Sequence, residues 1–280
     1  MPRSSSRNAP RPRRPVSLRA RRRRARALIA SVAIALAAAA AYGISYASYL
    51  PLFTIGAISV SGSEAISPKL IERYAESVVY DGSYGFLSRA DIFLYPRADI
   101  EQGLSRFFPR IESARVARAS MLASTVAIAI VERKQFAQWC ADEQCYSMDE
   151  KGFIFARAAS TTTQYVFRGG LATSSQPVGQ RFASAQLPGI LVALKLFGQA
   201  GFHPLGAFVK DDKDFTMPLV EGYQIKASFG ADAMALVRNL ELVLSSDVLK
   251  GKENSLEYVD LRFGNRVYYK LKGQEQQSVH

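Results

Sequence analysis

A mostly apolar stretch of 24 residues without a charge, 27–50, constrains this chain more than any other feature. As a helix rising about 1.5 Å per residue it extends roughly 36 Å, enough to cross a hydrocarbon core of about 30 Å with some tilt. The 26 residues before it carry eleven arginines and no acid. Arginine on one flank alone predicts orientation: the tail stays cytoplasmic and everything after residue 50 is exported. Tyr42, Tyr46 and Tyr49 cluster toward the far end, where amphipathic rings favour the membrane interface. A cleaved signal peptide is the alternative, because Ser45-Tyr46-Ala47 offers small residues at the cleavage spacing. Its apolar region usually spans only about 7–15 residues, so a retained helix over 27–50 is the expectation. The tail, 1–26, is interrupted by Pro2, Pro10, Pro12 and Pro15 and is expected to be disordered. Topology and attraction to anionic lipid explain its arginines more simply than nucleic acid does.

The charge balance supports that reading. The chain has 36 basic and 24 acidic residues, a net charge of +12. Without the eleven tail arginines it holds 25 basic against 24 acidic residues. A near-neutral exported part gives no electrostatic footprint for nucleic acid.

Residues 51–280 suffice for two domains. The first, 51–134, reads as β-α-α-β-β. A short strand at 55–61 is closed by Gly62. Ser67-Pro68 supplies a helix start, and Leu70, Ile71, Tyr74, Ala75 and Val78 mark one apolar face. A second helix begins near Arg97, carries Ile100, Leu104, Phe107 and Phe108, and is stopped by Pro109. Strands at 111–119 and 125–132 follow, the latter alternating through Val126, Ile128 and Ile130.

The second domain, 135–272, is rich in strands, with a hairpin turn at Asp149-Glu150-Lys151-Gly152. Tyr165-Val166-Phe167 reads as an edge strand within a polar loop. Two amphipathic helices interrupt the strands, one marked by Leu191, Leu194, Leu196 and Phe197, the other by Leu236, Val237, Leu240, Val243 and Leu244. Val259, Leu261 and Phe263 are expected to point one way, Asp260 and Arg262 the other. Gly264-Asn265 then turns the chain into a last strand, 267–271, with 273–280 as a tail. The fold class is α+β: a basic tail, one transmembrane helix, a small β-α-α-β-β module, and a β-rich domain with an extended sheet and two helices.

No catalytic constellation is visible, and the expectation is a protein that is not an enzyme and takes no cofactor. His203 and His280 are the only histidines, and neither has a nucleophile nearby in sequence. Neither a Walker-type nor a dinucleotide glycine motif is present. The acid clusters Asp149-Glu150 and Asp211-Asp212-Lys213-Asp214 read as turns, not metal ligands. Cys140 and Cys145 are the only cysteines. Facing each other over a hairpin they reach disulfide distance, and an oxidising exterior favours the bridge, with two inert thiols as the alternative.

Several pieces together resemble a known family. Ile58-Ser59-Val60-Ser61-Gly62, Phe108-Pro109-Arg110-Ile111 with Val116-Ala117-Arg118, and Val126-Ala127-Ile128-Ala129-Ile130-Val131-Glu132-Arg133 resemble a POTRA domain. Phe136-Ala137-Gln138-Trp139, Met148-Asp149-Glu150-Lys151-Gly152-Phe153-Ile154-Phe155, Leu187-Pro188-Gly189 and Tyr258-Val259-Asp260-Leu261-Arg262-Phe263 continue in the order and spacing of the FtsQ/DivIB family of bacterial division proteins. The resemblance covers about residues 20–272. It implies a single-pass scaffold of the inner membrane at the division septum, with FtsB/DivIC-like and FtsL-like proteins as partners and other division proteins at the POTRA domain and anchor.

An edge strand exposes a row of unpaired N–H and C=O groups, to which a partner segment adds by β-augmentation. The strand 267–271 is the candidate edge. Carried over by position, the resemblance implicates Arg262, Phe263, Val267, Tyr268 and Tyr269, with Arg262 offering its donors to an acidic partner residue. Tyr268 is expected to face opposite to Val267 and Tyr269. The alternative function is a POTRA-containing component of protein export or outer-membrane assembly. Such proteins carry several POTRA units or a long barrel run, neither of which is present.

Overall fold

The computed structural model describes residues 18–80, 85–118, 120, 123–159, 164–173, 175–264, 266–274 and 277–279. The fold is mixed α+β, with five α-helices among the described residues. Helix α1, Leu18–Ser48, contains all but the last two residues of the stretch 27–50 and is long and apolar enough to cross a membrane. It begins nine residues before residue 27, so Arg19, Arg21 to Arg24 and Arg26 lie on the helix and not in a disordered tail. Arginine is a good helix former, and extending an existing helix costs little. The tail expected at 1–17 lies outside the described residues.

Strand β1 (Ala57–Ser61), helices α2 (Pro68–Val79) and α3 (Arg97–Phe107), and strands β2 (Ile111–Arg118) and β3 (Thr125–Glu132) follow in the expected order. Their strands form a three-stranded sheet ordered β1-β3-β2. Proline at position 68 starts α2, where its missing N–H is not needed. The buried stripe of α2 is Ile71, Ala75 and Val79, which leaves Leu70 half exposed at 49%, outside the expected face. On β3, Val126, Ile128 and Ile130 are buried and their neighbours are not, the alternation of a half-buried strand.

By compactness the described residues divide into two units. One holds 18–59, 75–97 and 117–127; the other holds 60–74, 98–116 and the described residues from 128 onward. In the first, Ile55 N–H donates to the Ala90 carbonyl at 2.8 Å and Ile92 N–H to the Phe53 carbonyl at 2.9 Å.

The second unit contains a ten-stranded mixed sheet. Its strands are β4 (Ala137–Ala141), β5 (Gln144–Met148), β6 (Ile154–Arg157), β7 (Val166–Gly169), β8 (Gly206–Val209), β9 (Asp214–Pro218), β10 (Gln224–Ser228), β11 (Leu256–Phe263), β12 (Arg266–Leu271) and β13 (Gln277–Val279). Their order is β13-β12-β11-β10-β9-β8-β7-β4-β5-β6. The parallel pairs β7/β8 and β10/β11 are joined by helices α4 (Leu187–Gln199) and α5 (Ala233–Leu244), as a parallel connection requires. Ile190, Leu194 and Phe197 of α4 and Leu236, Leu240 and Val243 of α5 share one core with Trp139, Phe167, Ile225 and Val259. Strand β7 lies between β4 and β8, so Tyr165-Val166-Phe167 leads into an interior strand, not an edge.

Two expectations for the C-terminal strands fail. Strand β12 does not end the sheet, because Val267, Tyr268 and Tyr269 pair with Val279, Ser278 and Gln277 of β13. Gly273, at φ 77°, allows the reversal that brings part of the expected tail back as a strand. Phe263 does not share the face of Val259 and Leu261: it is 53% exposed, while Asp260 is buried. The register between β11 and β12 shifts between Asp260 and Phe263, and such an irregularity re-aims the side chain beyond it.

Candidate functional site

The helices cover one face of the ten-stranded sheet and leave a row of cross-strand neighbours on the other. Arg168, Phe208, Thr216, Lys226, Asp260, Tyr268 and Ser278 are successive register partners from β7 to β13. Period-two alternation puts their immediate neighbours Phe167, Ala207, Ile225, Val259 and Tyr269 in the core. Lys226 Nζ stands 3.5 Å above the centre of the Tyr258 ring, a cation–π contact.

The five candidate residues separate on this frame. Val267 and Tyr269 belong to the core, at 4% and 2% exposure, and present no side chain to a partner. Tyr268 faces the other way and is partly exposed. Its ring meets that of Phe263 edge-on at 5.1 Å. These two aromatics form the accessible part of the predicted site.

Arg262 is already engaged within the chain, contrary to the expectation that its donors face a partner. Its Nε donates to Asp260 Oδ1 at 2.8 Å and Nη2 to Oδ2 at 2.6 Å, while Nη1 reaches Asp214 Oδ2 at 2.6 Å. Ser228 Oγ donates to the other Asp214 oxygen at 2.7 Å. The hydrogen bonds to Asp260, then those to Asp214, hold the guanidinium pKa above its ordinary value. The cause is local: residues 260 and 262 share one face of a strand, and Asp260 at 2% exposure needs a counter-charge.

Cys140 and Cys145 are directly opposed on β4 and β5 and joined by a disulfide. The two-residue loop Asp142-Glu143 sets that register, with Asp142 at φ 49°. The acid clusters are structural. Asp149 Oδ1 accepts the N–H groups of Lys151 and Phe153, each at 2.9 Å, and its Oδ2 pairs with Arg133 at 2.6 Å. Asp211 Oδ1 accepts from the N–H groups of Lys213 and Asp214, which lowers its pKa. Among the described residues, no group of three or more His, Cys, Asp or Glu is placed to hold a metal.

One further pair has no signal in the sequence. His203 Nδ1 lies 2.7 Å from Glu221 Oε1, and the same oxygen accepts the His203 backbone N–H at 3.2 Å. An isolated bridge between Pro204 and Leu219 brings the two segments together. They flank an open cavity of about 560 Å³ lined in part by Tyr165, Leu194, Phe202, Leu205 and Val220. No family model and no curated protein matches the chain.

Proposed function

We propose that this chain is a bitopic membrane scaffold of the bacterial division machinery, of the FtsQ/DivIB type and without catalytic activity. Helix α1 is its anchor, with the arginine-rich tail cytoplasmic and the remainder exported. The β1-α2-α3-β2-β3 order supports a POTRA-like module after the anchor. FtsB/DivIC-like and FtsL-like proteins are its partners at the septum, where it helps to control peptidoglycan synthesis.

The observation that carries this reading is the end of the ten-stranded sheet. Strand β12 has six residues, and among the described residues β13 pairs with three of them. A longer partner strand can pair with more of β12 and displace β13, so that backbone hydrogen bonds supply affinity. The Phe263–Tyr268 ring pair, with Phe263 exposed and Tyr268 partly so, lies beside that end and supplies an apolar contact. Arg262 fixes the strand carrying Phe263 from within and is not itself the contact.

The test is the dissociation constant of the full chain in lipid nanodiscs for the exported segment of an FtsB-like partner. Ending the chain after Gln274 removes β13 and should tighten binding. Phe263→Ala with Tyr268→Ala should weaken it. Affinity unchanged in both variants refutes this placement of the partner.

A further inference from the structure

Four exposed apolar side chains of the first unit stand around the C-terminal end of α1: Leu52, Phe86, Phe93 and Leu94. Leu52 is 75% exposed and Phe86 63%, and what is informative is that such exposed side chains are grouped in one patch. Their position is fixed by the helix itself. Ser45 Oγ donates to the Phe86 carbonyl at 2.5 Å, Tyr49 Oη donates to the Gly85 carbonyl at 2.7 Å, and Ser48 Oγ accepts the Ser88 N–H at 3.0 Å. Beyond the helix, the backbone bonds of Phe53 and Ile55 to Ile92 and Ala90 run Leu52 beside Phe93 and Leu94. The Phe53 and Phe93 rings are 6.5 Å apart.

These contacts set a depth. Ser45 lies three residues before Ser48, where α1 ends, about 4.5 Å along the helix axis. Apolar faces that lie in a membrane surface are buried about 5–10 Å into the boundary between headgroups and acyl chains. A helix that spans the bilayer up to its C-terminal end therefore holds Phe86 close to that boundary. Of the neighbouring charges, Asp91 is buried and accepts the Phe93 N–H at 2.8 Å, while the Arg118 guanidinium lies 5.3 Å over the Phe93 ring and Arg89 is exposed. Cations beside interfacial aromatics suit anionic lipid headgroups.

We propose that this first unit is seated on the lipid surface, with Leu52, Phe86, Phe93 and Leu94 inserted where headgroups meet acyl chains. The occupant of the patch is lipid because the patch continues the apolar surface of α1, which ends within it. The proposal rests on reading α1 as a membrane anchor. Seated in this way, the unit is held at a fixed height by two attachments, the helix and the patch.

Depth-resolved quenching tests it. The full chain is placed in nanodiscs of phosphatidylethanolamine and phosphatidylglycerol whose acyl chains carry bromine at shallow or deep positions. Phe86→Trp, Phe93→Trp and Leu36→Trp are compared, with the buried Trp139 as a constant background. The expected result is loss of fluorescence to shallow bromine for Phe86→Trp and Phe93→Trp, and to deep bromine for Leu36→Trp. Quenching of Leu36→Trp alone overturns the seating and leaves the anchor intact. No quenching in any variant overturns the anchor and the seating together. Unquenched Phe86→Trp in a dimer that Phe86→Asp converts to monomer assigns the patch to a second copy and also overturns the proposal.

Discussion

Arg262 closes on the carboxylate of Asp260, two residues earlier on the same strand, through two hydrogen bonds of 2.8 and 2.6 Å. The Asp260 side chain is 3% exposed and that of Arg262 is 30% exposed. Removing the arginine leaves a buried carboxylate without its counter-charge, which costs more than the pair itself contributes. Arg262→Ala should therefore lower stability by about 2–3 kcal/mol, less than a fully buried pair would lose because Arg262 reaches solvent. Urea unfolding of the full chain measures this. A midpoint unchanged from wild type would show that Asp260 is satisfied in another way.

Proline at position 68 starts a helix, whereas proline at 268 should break a sheet. Strand β12 lies between β11 and β13, and Val267 and Tyr269 beside Tyr268 are core residues. Interior strands do not tolerate proline, which removes a ladder hydrogen bond, so Tyr268→Pro should cost about 3 kcal/mol or more. Tyr268→Ala keeps the backbone N–H and removes the edge-on contact with Phe263, worth about 0.5–1.5 kcal/mol. The alanine variant should keep the urea midpoint close to wild type while weakening partner binding. A proline variant as stable as wild type would mean that β12 is not integral to the sheet.

Local signals in the sequence carry through to the structure, and features made by pairing do not. Pro68 and Pro109 bound the two helices of the small module, and the apolar stripe of α5 from Leu236 to Val243 is buried as its spacing requires. The short spacing between Cys140 and Cys145 is a hairpin signal because so short a loop admits few registers. Strand β13 has no such signal: Gln277, Ser278 and Val279 show no apolar alternation, and only their pairing with β12 makes them a strand. The exposure of Phe263 likewise follows from a register shift against β12. Asp260 and Arg262 were legible as sharing a face. Their closure on each other depends on burial of Asp260, which depends on the strands around it.

The Cys140–Cys145 bridge closes a short loop, with a sequence separation of 5. Chain-entropy estimates for so short a loop give about 2 kcal/mol, and the hairpin already restrains the same residues. Cys140→Ser with Cys145→Ser should lower stability by no more than that. Thiol reagents should label neither cysteine in the full chain until a reductant is added. Labelling of both without reductant would exclude the bridge.

Tyr223 is 2% exposed, and its phenol is pushed up to about 12, first by burial and then by Glu221 and Glu253. Above the ordinary tyrosine value of 10.0 the unfolded chain releases this proton, while the folded chain holds it until about pH 12. The stabilising contribution is therefore present below pH 10 and is lost as pH rises toward 12, at about 1.4 kcal/mol per pH unit. Tyr223→Phe has no proton to lose, so its urea midpoint should fall less steeply than wild type across that window. Parallel slopes in the two proteins would mean that Tyr223 ionises equally in both states.

Arg133 and Asp149 form an ion pair whose two side chains are each only 10% exposed. Arg133 sits just past β3, where its Nε donates to the Pro109 carbonyl at 3.1 Å and its guanidinium lies 4.2 Å over the Phe153 ring. Asp149 organises the β5–β6 turn through the N–H groups of Lys151 and Phe153. One arginine thus ties the end of β3 to a turn of the ten-stranded sheet, and Lys151 with Glu112 at 2.7 Å adds a more exposed tie. Arg133→Ala should cost about 3–5 kcal/mol, because it strands a nearly buried carboxylate. Arg133→Lys should recover only part of that, since an ammonium cannot span the carbonyl and the carboxylate as the planar fork does. Asp149→Asn keeps an oxygen for the turn and removes the charge, so its loss should be smaller than that of Arg133→Ala. A double-mutant cycle of the two should give a coupling energy of about 1–3 kcal/mol. Additive effects would show that the arginine acts through Phe153 and Pro109 and not through the carboxylate.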